Sequence, residues 1–189
     1  MKKILETERL ILRPWRSEDA PSLYKYASDP KVGPIAGWPV HTSIEYSIET
    51  IRDVFSNEGI YAIVLKGHEE PVGCIGLLRG EASDFGIGSD EGEIAYWIGV
   101  PYWGKGLVPE AIRELMRYSF EELKLKALWC GYFEGNEKSL RAQEKCGFEY
   151  NRTNYNKPWP LMGDIRTEVI TCITKEKWLI NKCTSTYTC

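Results

Sequence analysis

Residues 101–111, Pro-Tyr-Trp-Gly-Lys-Gly-Leu-Val-Pro-Glu-Ala, constrain the fold of this chain more than any other stretch. A strand-like run over residues 93–100 leads into them and a strongly amphipathic helix leads out. A strand, a short glycine loop and a helix N-terminus together make an anion site. Gly104 and Gly106 let the backbone come close to a ligand, and first-turn N–H groups have no acceptor inside the helix. The helix dipole adds about half a positive charge at the same point. The pattern predicts a phosphate-bearing ligand here, and a tight strand-to-helix turn without a ligand is the plain alternative.

Spacing excludes two phosphate loops. A P-loop requires Gly-Lys-Ser/Thr, but Leu107 follows Gly106. A dinucleotide fingerprint requires a third small residue where Pro109 stands, and an acidic residue on a following strand. A third loop fits better. Gly104 and Gly106 resemble the pyrophosphate loop of the GNAT superfamily of acetyl-CoA-dependent N-acetyltransferases, Gln/Arg-x-x-Gly-x-Gly/Ala, with Pro101 at the Gln/Arg position.

Residues 136–148 resemble the downstream motif of the same superfamily, in which Asn-x-x-Ser opens a helix that ends at Gly-Phe. Here those residues are Asn136, Ser139, Gly147 and Phe148. Local chemistry agrees, since Asn is a good N-cap and Gly147 can take the left-handed conformation that ends a helix. Thr7-Glu8-Arg9-Leu10-Ile11-Leu12-Arg13-Pro14, the pair Tyr96-Trp97, and Trp103-Gly104-Lys105-Gly106 ahead of Pro109-Glu110-Ala111 resemble RimJ/RimL-type acetyltransferases. The resemblance runs over residues 5–178. Prototypes of that branch acetylate the N-terminal amine of ribosomal proteins, and other members act on other amines.

Composition sets further bounds. A chain of 189 residues, 43% hydrophobic and 27% charged, suits one soluble globular domain, expected over residues 1–180 with a short tail at 181–189. A net charge of -3 argues against nucleic-acid binding through general basicity. Charged residues follow Ile4 and Leu5 at once, so no secretory apolar region is read, and no apolar run approaches the roughly 20 residues that span a bilayer. The expected location is cytoplasmic. Cys74, Cys130, Cys146 and Cys172 fall singly in predicted strands or helix ends, as small buried hydrophobes. Cys183 and Cys189 are expected as free thiols in the tail, and neither His41 nor His68 has ligand-like neighbours, so no metal site is expected.

Along the chain, residues 5–13 read as a first strand and Ser17-Glu18-Asp19 as the start of a short helix. Residues 29–41 read as an irregular loop. Thr42-Ser43-Ile44-Glu45 reads as a capping box, with Ile44, Ile48, Ile51 and Phe55 as one helix face. Strands are expected over residues 60–65, 72–78, 93–100, 127–133, 148–153 and 165–173. A hairpin turns at Gly67-His68-Glu69-Glu70, and residues 175–180 read as a terminal helical turn before a frayed end. The fold class is α/β (α+β), a mixed, mostly antiparallel sheet of six to seven strands with helices on both faces.

The resemblance implies more. The strands bearing Ile98 and Tyr132 should diverge at the sheet centre, with the backbone of Ile98, Gly99 and Val100 facing the pantetheine arm. Gly104, Lys105, Gly106, Leu107 and Val108 should hold the pyrophosphate, and Asn136 should contact the thiol arm. A thioester is already activated, so a neutral amine can attack it directly. The protein must supply proximity, oxyanion donors and removal of the amine proton. Glu93 is the candidate base, or else a solvated strand-start carboxylate. Many GNAT enzymes place a Tyr in the Asn136 helix as general acid, and this chain has none there. Ser139 stands at the RimJ/RimL-type serine position as candidate acid, or else as a first-turn hydrogen-bonding residue, with Tyr102 or Tyr132 as substitutes. Trp38 and the aromatics of residues 155–159 could wall the acceptor site or simply pack.

The expected partners are acetyl-CoA and an amine acceptor, namely a peptide N-terminus or a small amine such as a polyamine, aminoglycoside or amino acid. No nucleic acid or membrane is expected, and a homodimer is compatible with the resemblance. A CoA-binding regulatory module that kept the fold and lost turnover is the alternative from another class.

Overall fold

The computed structural model describes residues 3–186. Eight strands form one sheet in the order β1-β2-β3-β4-β5-β6-β8-β7. They are β1 (Leu5–Glu6), β2 (Leu10–Arg13), β3 (Ile60–Leu65), β4 (Pro71–Leu78), β5 (Glu91–Ile98), β6 (Ala127–Phe133), β7 (Glu149–Trp159) and β8 (Asp164–Thr174). Every neighbouring pair is antiparallel except β5 and β6. The helices are α1 (Ala20–Ala27), the single turn α2 (Gly33–Ala36), α3 (Ile44–Thr50), α4 (Leu107–Arg117), α5 (Glu137–Glu144) and α6 (Lys175–Thr186).

Strand alternation gives the sheet two cores. Tyr61 and Ile63 of β3 face α4, where Leu107, Ala111, Ile112, Leu115 and Met116 form the buried stripe. Ile60, Ala62 and Val64 face the other way, toward Leu23 and Ala27 of α1 and Ile51. A period of two on the strand and 3.6 on the helix sorts the side chains. Helices therefore cover both faces.

The parallel pair positions everything that follows. β5 and β6 are joined only at Glu91↔Ala127, Gly92↔Leu128 and Glu93↔Trp129. Beyond Glu93, β5 stays with β4 out to Gly73↔Ile98, while β6 stays with β8 out to Phe133↔Glu168. The two strands part, and a cleft opens between them with Glu93 at its apex.

Several expectations are corrected. The predicted first strand is two strands, which gives eight in place of six to seven. Thr7 folds the chain back by donating its N–H to the Leu10 carbonyl at 3.0 Å and accepting the Leu10 N–H on its hydroxyl at 2.9 Å. β5 ends at Ile98, not residue 100, because Pro101 lies in a 3-10 turn over Val100–Tyr102. The stripe of α3 is rotated. Ile44 and Ile48 are 39% and 42% exposed, whereas Ser47 and Ile51 point inward. Ser47 is tolerated there because its hydroxyl pairs with His41 Nδ1 at 2.8 Å and reaches the Ser43 carbonyl. The loop at 29–41 contains the turn α2. The C-terminal helix runs on to Thr186, with Trp178 against Phe120 at 5.2 Å and Lys182 paired to Glu121. Cys74, Cys130 and Cys146 are buried as expected, but Cys172 is only half-buried and Cys183 is exposed on α6, where a tail was expected; Cys189 lies outside the described residues.

Candidate active site

The glycine loop is held by the first strands. Gly104 and Gly106 have φ of +73° and +74°, left-handed values that an L side chain adopts only at a cost of about 1–2 kcal/mol. Arg9 donates to the Lys105 carbonyl at 3.0 Å and pairs with Glu110 on the first turn of α4. Glu110 also accepts from the Thr7 hydroxyl at 2.5 Å and the Arg9 N–H at 2.9 Å. The Thr-Glu-Arg opening and the Pro-Glu-Ala helix start, two separate sequence signals, are thus one clamp beneath the loop.

Above the loop runs a cleft of about 390 Å³ between β5, α4 and α5. Gly104, Gly106, Leu107, Val108, Ile98 and Asn136 all line it. Val72 accepts the Gly99 N–H at 2.9 Å, so Ile98 is a non-bonded position in the β4–β5 ladder and its amide turns toward the cleft. The Trp103 indole donates to the Ile98 carbonyl at 2.9 Å, which leaves the N–H for a ligand. Three predicted residues lie outside the lining. Gly99 sits beneath the Tyr26 ring, where a Cβ would come within 2.5 Å of Cδ1. The Val100 carbonyl accepts the Trp103 N–H, and Lys105 places its ammonium over the Tyr102 ring. Lys138, Arg141 and Lys145 line the cleft and were not anticipated. They sit on successive turns of the helix after Asn136, a spacing visible in the sequence. The donor set fits a polyanionic ligand with an apolar arm: left-handed glycines that let the backbone approach, open amides, three cations, and Trp103, Leu107 and Val108 as walls.

A second cavity of about 220 Å³ lies between the parting strands, lined by residues of both β5 and β6. Glu93 lines it at the apex, together with Asp84, Glu168, Phe85, Phe133 and Trp159. Ser83 donates to Glu93 Oε2 at 2.7 Å. Burial pushes the Glu93 carboxyl up to about 7; Asp84 and Glu168 push the same way, while the Ser83 bond and Lys157 oppose it. Lys157 pairs with Asp84 at 2.6 Å and Glu168 at 2.7 Å. Trp159 reaches across the mouth and donates its indole N–H to the Gly37 carbonyl at 2.6 Å. Of the predicted wall aromatics, Trp159 lines the cavity and Tyr155 is 75% exposed. Trp38 packs against Trp97 and His41 instead.

The two cavities share Ile35, Ala36, Tyr96, Asn136 and Ser139. Asn136 caps α5 by accepting the Ser139 N–H at 3.2 Å. Ser139 Oγ lies 2.8 Å from the Tyr96 hydroxyl and 3.2 Å from Gln143 Nε2. Neither Tyr96 nor Gln143 was a sequence candidate. Tyr96 belonged to a recognised pair, but its inward direction depends on the register of β5. Of the substitutes, Tyr132 lines the second cavity, while Tyr102 lines the first and its hydroxyl contacts that of Tyr26 at 3.2 Å.

The Acetyltransferase (GNAT) domain family matches residues 9–149. This chain belongs to that family. It is similar to the "Uncharacterized N-acetyltransferase p20" of Bacillus licheniformis, 31% identical over 153 residues that cover 77% of this chain and 82% of the relative. Among solved structures, a GNAT-family acetyltransferase from Bacillus anthracis superposes with a TM-score of 0.81 at 24% identity, covering 92% of this chain and 99% of that one. The microcin C7 self immunity acetyltransferase MccE, solved with acetyl-CoA and AMP, superposes with a TM-score of 0.73 at 22% identity, covering 89% and 93%. At those identities the two structures speak for the GNAT fold. The chain is therefore a GNAT acyltransferase, from a family that uses acetyl-CoA.

Proposed function

We propose that this GNAT domain transfers the acetyl group of acetyl-CoA directly to a cationic primary amine where its two cavities meet. One observation carries the reading: a cleft with a glycine loop and three cations shares Ser139, Tyr96 and Asn136 with a carboxylate-lined cavity that holds Glu93. The backbone amides over residues 104–108 receive the pyrophosphate, helped by Lys138, Arg141 and Lys145. The Ile98 amide meets the pantetheine arm, and Asn136, with its oxygen engaged by the cap, has its amide nitrogen for the thiol arm. Held in this way, the thioester and amine gain the advantage of proximity. Glu93 takes the amine proton, directly or through water, and Ser139 serves the departing sulfur.

The lining also narrows the acceptor. Asp84, Glu93 and Glu168 face one cation, Lys157. An amine with a carboxylate beside it, such as a free amino acid, is repelled there. A small polyamine suits both the charge and the volume, and is the first reading. A peptide α-amine, the acceptor of the RimJ/RimL branch, is the second, favoured by Glu93. An α-amine titrates near 7.7–8.0, so a carboxyl at about 7 takes its proton with little uphill cost, whereas a lysine-like amine near 10.4 gives it up less readily.

The test is release of CoA thiol from acetyl-CoA in the presence of spermidine, a hexapeptide amide with a free N-terminus, or free alanine. The account expects kcat/KM in that descending order, with alanine at background. A faster peptide would select the second reading, and a faster alanine would contradict both.

A further inference from the structure

Ser139 is surrounded by donors. Gln143 is fully buried, and its carboxamide has one allowed orientation. Nε2 donates toward the Gly131 carbonyl at 3.2 Å, which can only accept, and Oε1 accepts from the Thr171 hydroxyl at 2.7 Å. The second Nε2 hydrogen then points to Ser139 Oγ at 3.2 Å, with Tyr96 Oη farther off at 3.4 Å. The Tyr96 hydroxyl lies 2.8 Å from Ser139 Oγ and 3.2 Å from the Ser139 carbonyl; either hydroxyl can donate across the shorter contact, and Tyr96 is taken as the donor. Burial pushes the Tyr96 phenol up, so it keeps its proton at any physiological pH. A serine hydroxyl has two lone pairs and one hydrogen. With both lone pairs engaged in this way, one direction is left for the hydrogen, and Ser139 lines both cavities.

We propose that Gln143 and Tyr96 form a two-donor clamp that turns the Ser139 hydroxyl hydrogen onto the departing thiolate sulfur, making Gln143 a positioning residue for acetyl transfer. This rests on the reading of Ser139 as the group that serves the sulfur. In the step itself the amine nitrogen bonds to the acetyl carbon and the C–S bond breaks, its electron pair going to sulfur. Ser139 gives its proton to that sulfur, and the two clamp donors stabilise the oxygen left behind. Glu93 takes the ammonium proton before attack; the nitrogen sheds a second proton as the amide forms, and that proton returns through solvent to the serine, so thioester plus neutral amine gives amide plus thiol.

A kinetic cycle over Ser139→Ala, Gln143→Leu and the double variant tests this, reading kcat for CoA release with spermidine, or with water as acceptor. The expected losses are about 100-fold for Ser139→Ala and about 10-fold for Gln143→Leu at unchanged KM for acetyl-CoA, with no further loss in the double variant. A 10-fold loss on top of Ser139→Ala would make Gln143 merely structural, and full activity in Gln143→Leu would remove the clamp; either overturns the proposal. Full activity in Ser139→Ala would instead remove the reading beneath it. Should Gln143→Leu not fold, Gln143→Glu keeps the shape and introduces a carboxylate that accepts from Ser139. Its kcat relative to wild type should then rise as pH falls and the new carboxyl gains a proton, and a flat ratio would overturn the clamp.

Discussion

At the scale of single residues, Glu93 has the most at stake. It sits where β5 and β6 part, buried beside two other carboxylates, with its carboxyl raised from 4.5 to about 7. As a base it acts in the ionised form, so wild-type kcat/KM should fall tenfold per pH unit below about 7. Stability should run the other way. The folded state holds the proton more tightly than the unfolded chain between pH 4.5 and about 7, so the unfolding free energy declines with rising pH across that window. Glu93→Gln removes the buried charge. It should gain on the order of 2 kcal/mol over wild type at pH 8 and nothing at pH 4, read by urea denaturation at both. A variant equally stable relative to wild type at the two pH values would show that Glu93 is not strained by burial. The carboxylate and its strand are legible in the sequence, but the shift comes first from burial at the cleft apex and then from Asp84 and Glu168, nine residues before it and on another strand, none of which is a local signal.

At the scale of elements, the strand–loop–helix unit was legible because Gly, Pro and apolar spacing are local signals. β6 falls at the predicted residues 127–133, and the Asn136 cap opens α5 as expected. Two kinds of information were not local. One was the turn at Thr7, whose side chain bonds the backbone three residues on and splits the first strand. The other was the clamp of Thr7 and Arg9 on Glu110, which spans about a hundred residues of sequence. Because that clamp holds the loop from beneath and lies outside both cavities, Glu110→Gln should weaken the Arg9 pair and loosen the loop. Titration calorimetry should show Kd for acetyl-CoA raised several-fold, with kcat at saturation within twofold of wild type. An unchanged Kd would mean that the loop holds its shape unaided.

At the scale of the whole molecule, the last hairpin closes the second cavity. Trp159 bonds the Gly37 carbonyl, and Arg166 bonds the Pro34 carbonyl at 2.8 Å, so β7 and β8 are strapped to α2 across the cleft. The sequence offers both aromatics of this region, Trp38 and Trp159, as wall residues. The fold separates them, because Trp38 turns into the core behind α1 and Trp159 comes from a hairpin whose length was underestimated. Trp159→Phe keeps the ring and removes the indole donor, at a cost to the strap of about 1 kcal/mol. KM for spermidine should rise about fivefold while Kd for acetyl-CoA stays the same. A change confined to acetyl-CoA would place the strap with the wrong substrate.

The central claim is that acetyl moves from one cavity to the other past Ser139, to an amine that Glu93 has deprotonated. The most direct measurement is single-turnover acetyl transfer from bound acetyl-CoA to spermidine at pH 8 in wild type and Glu93→Gln, with acetyl-CoA affinity measured alongside. The account predicts a transfer rate about 100-fold lower in the variant at equal affinity. Equal rates in the two proteins would contradict it.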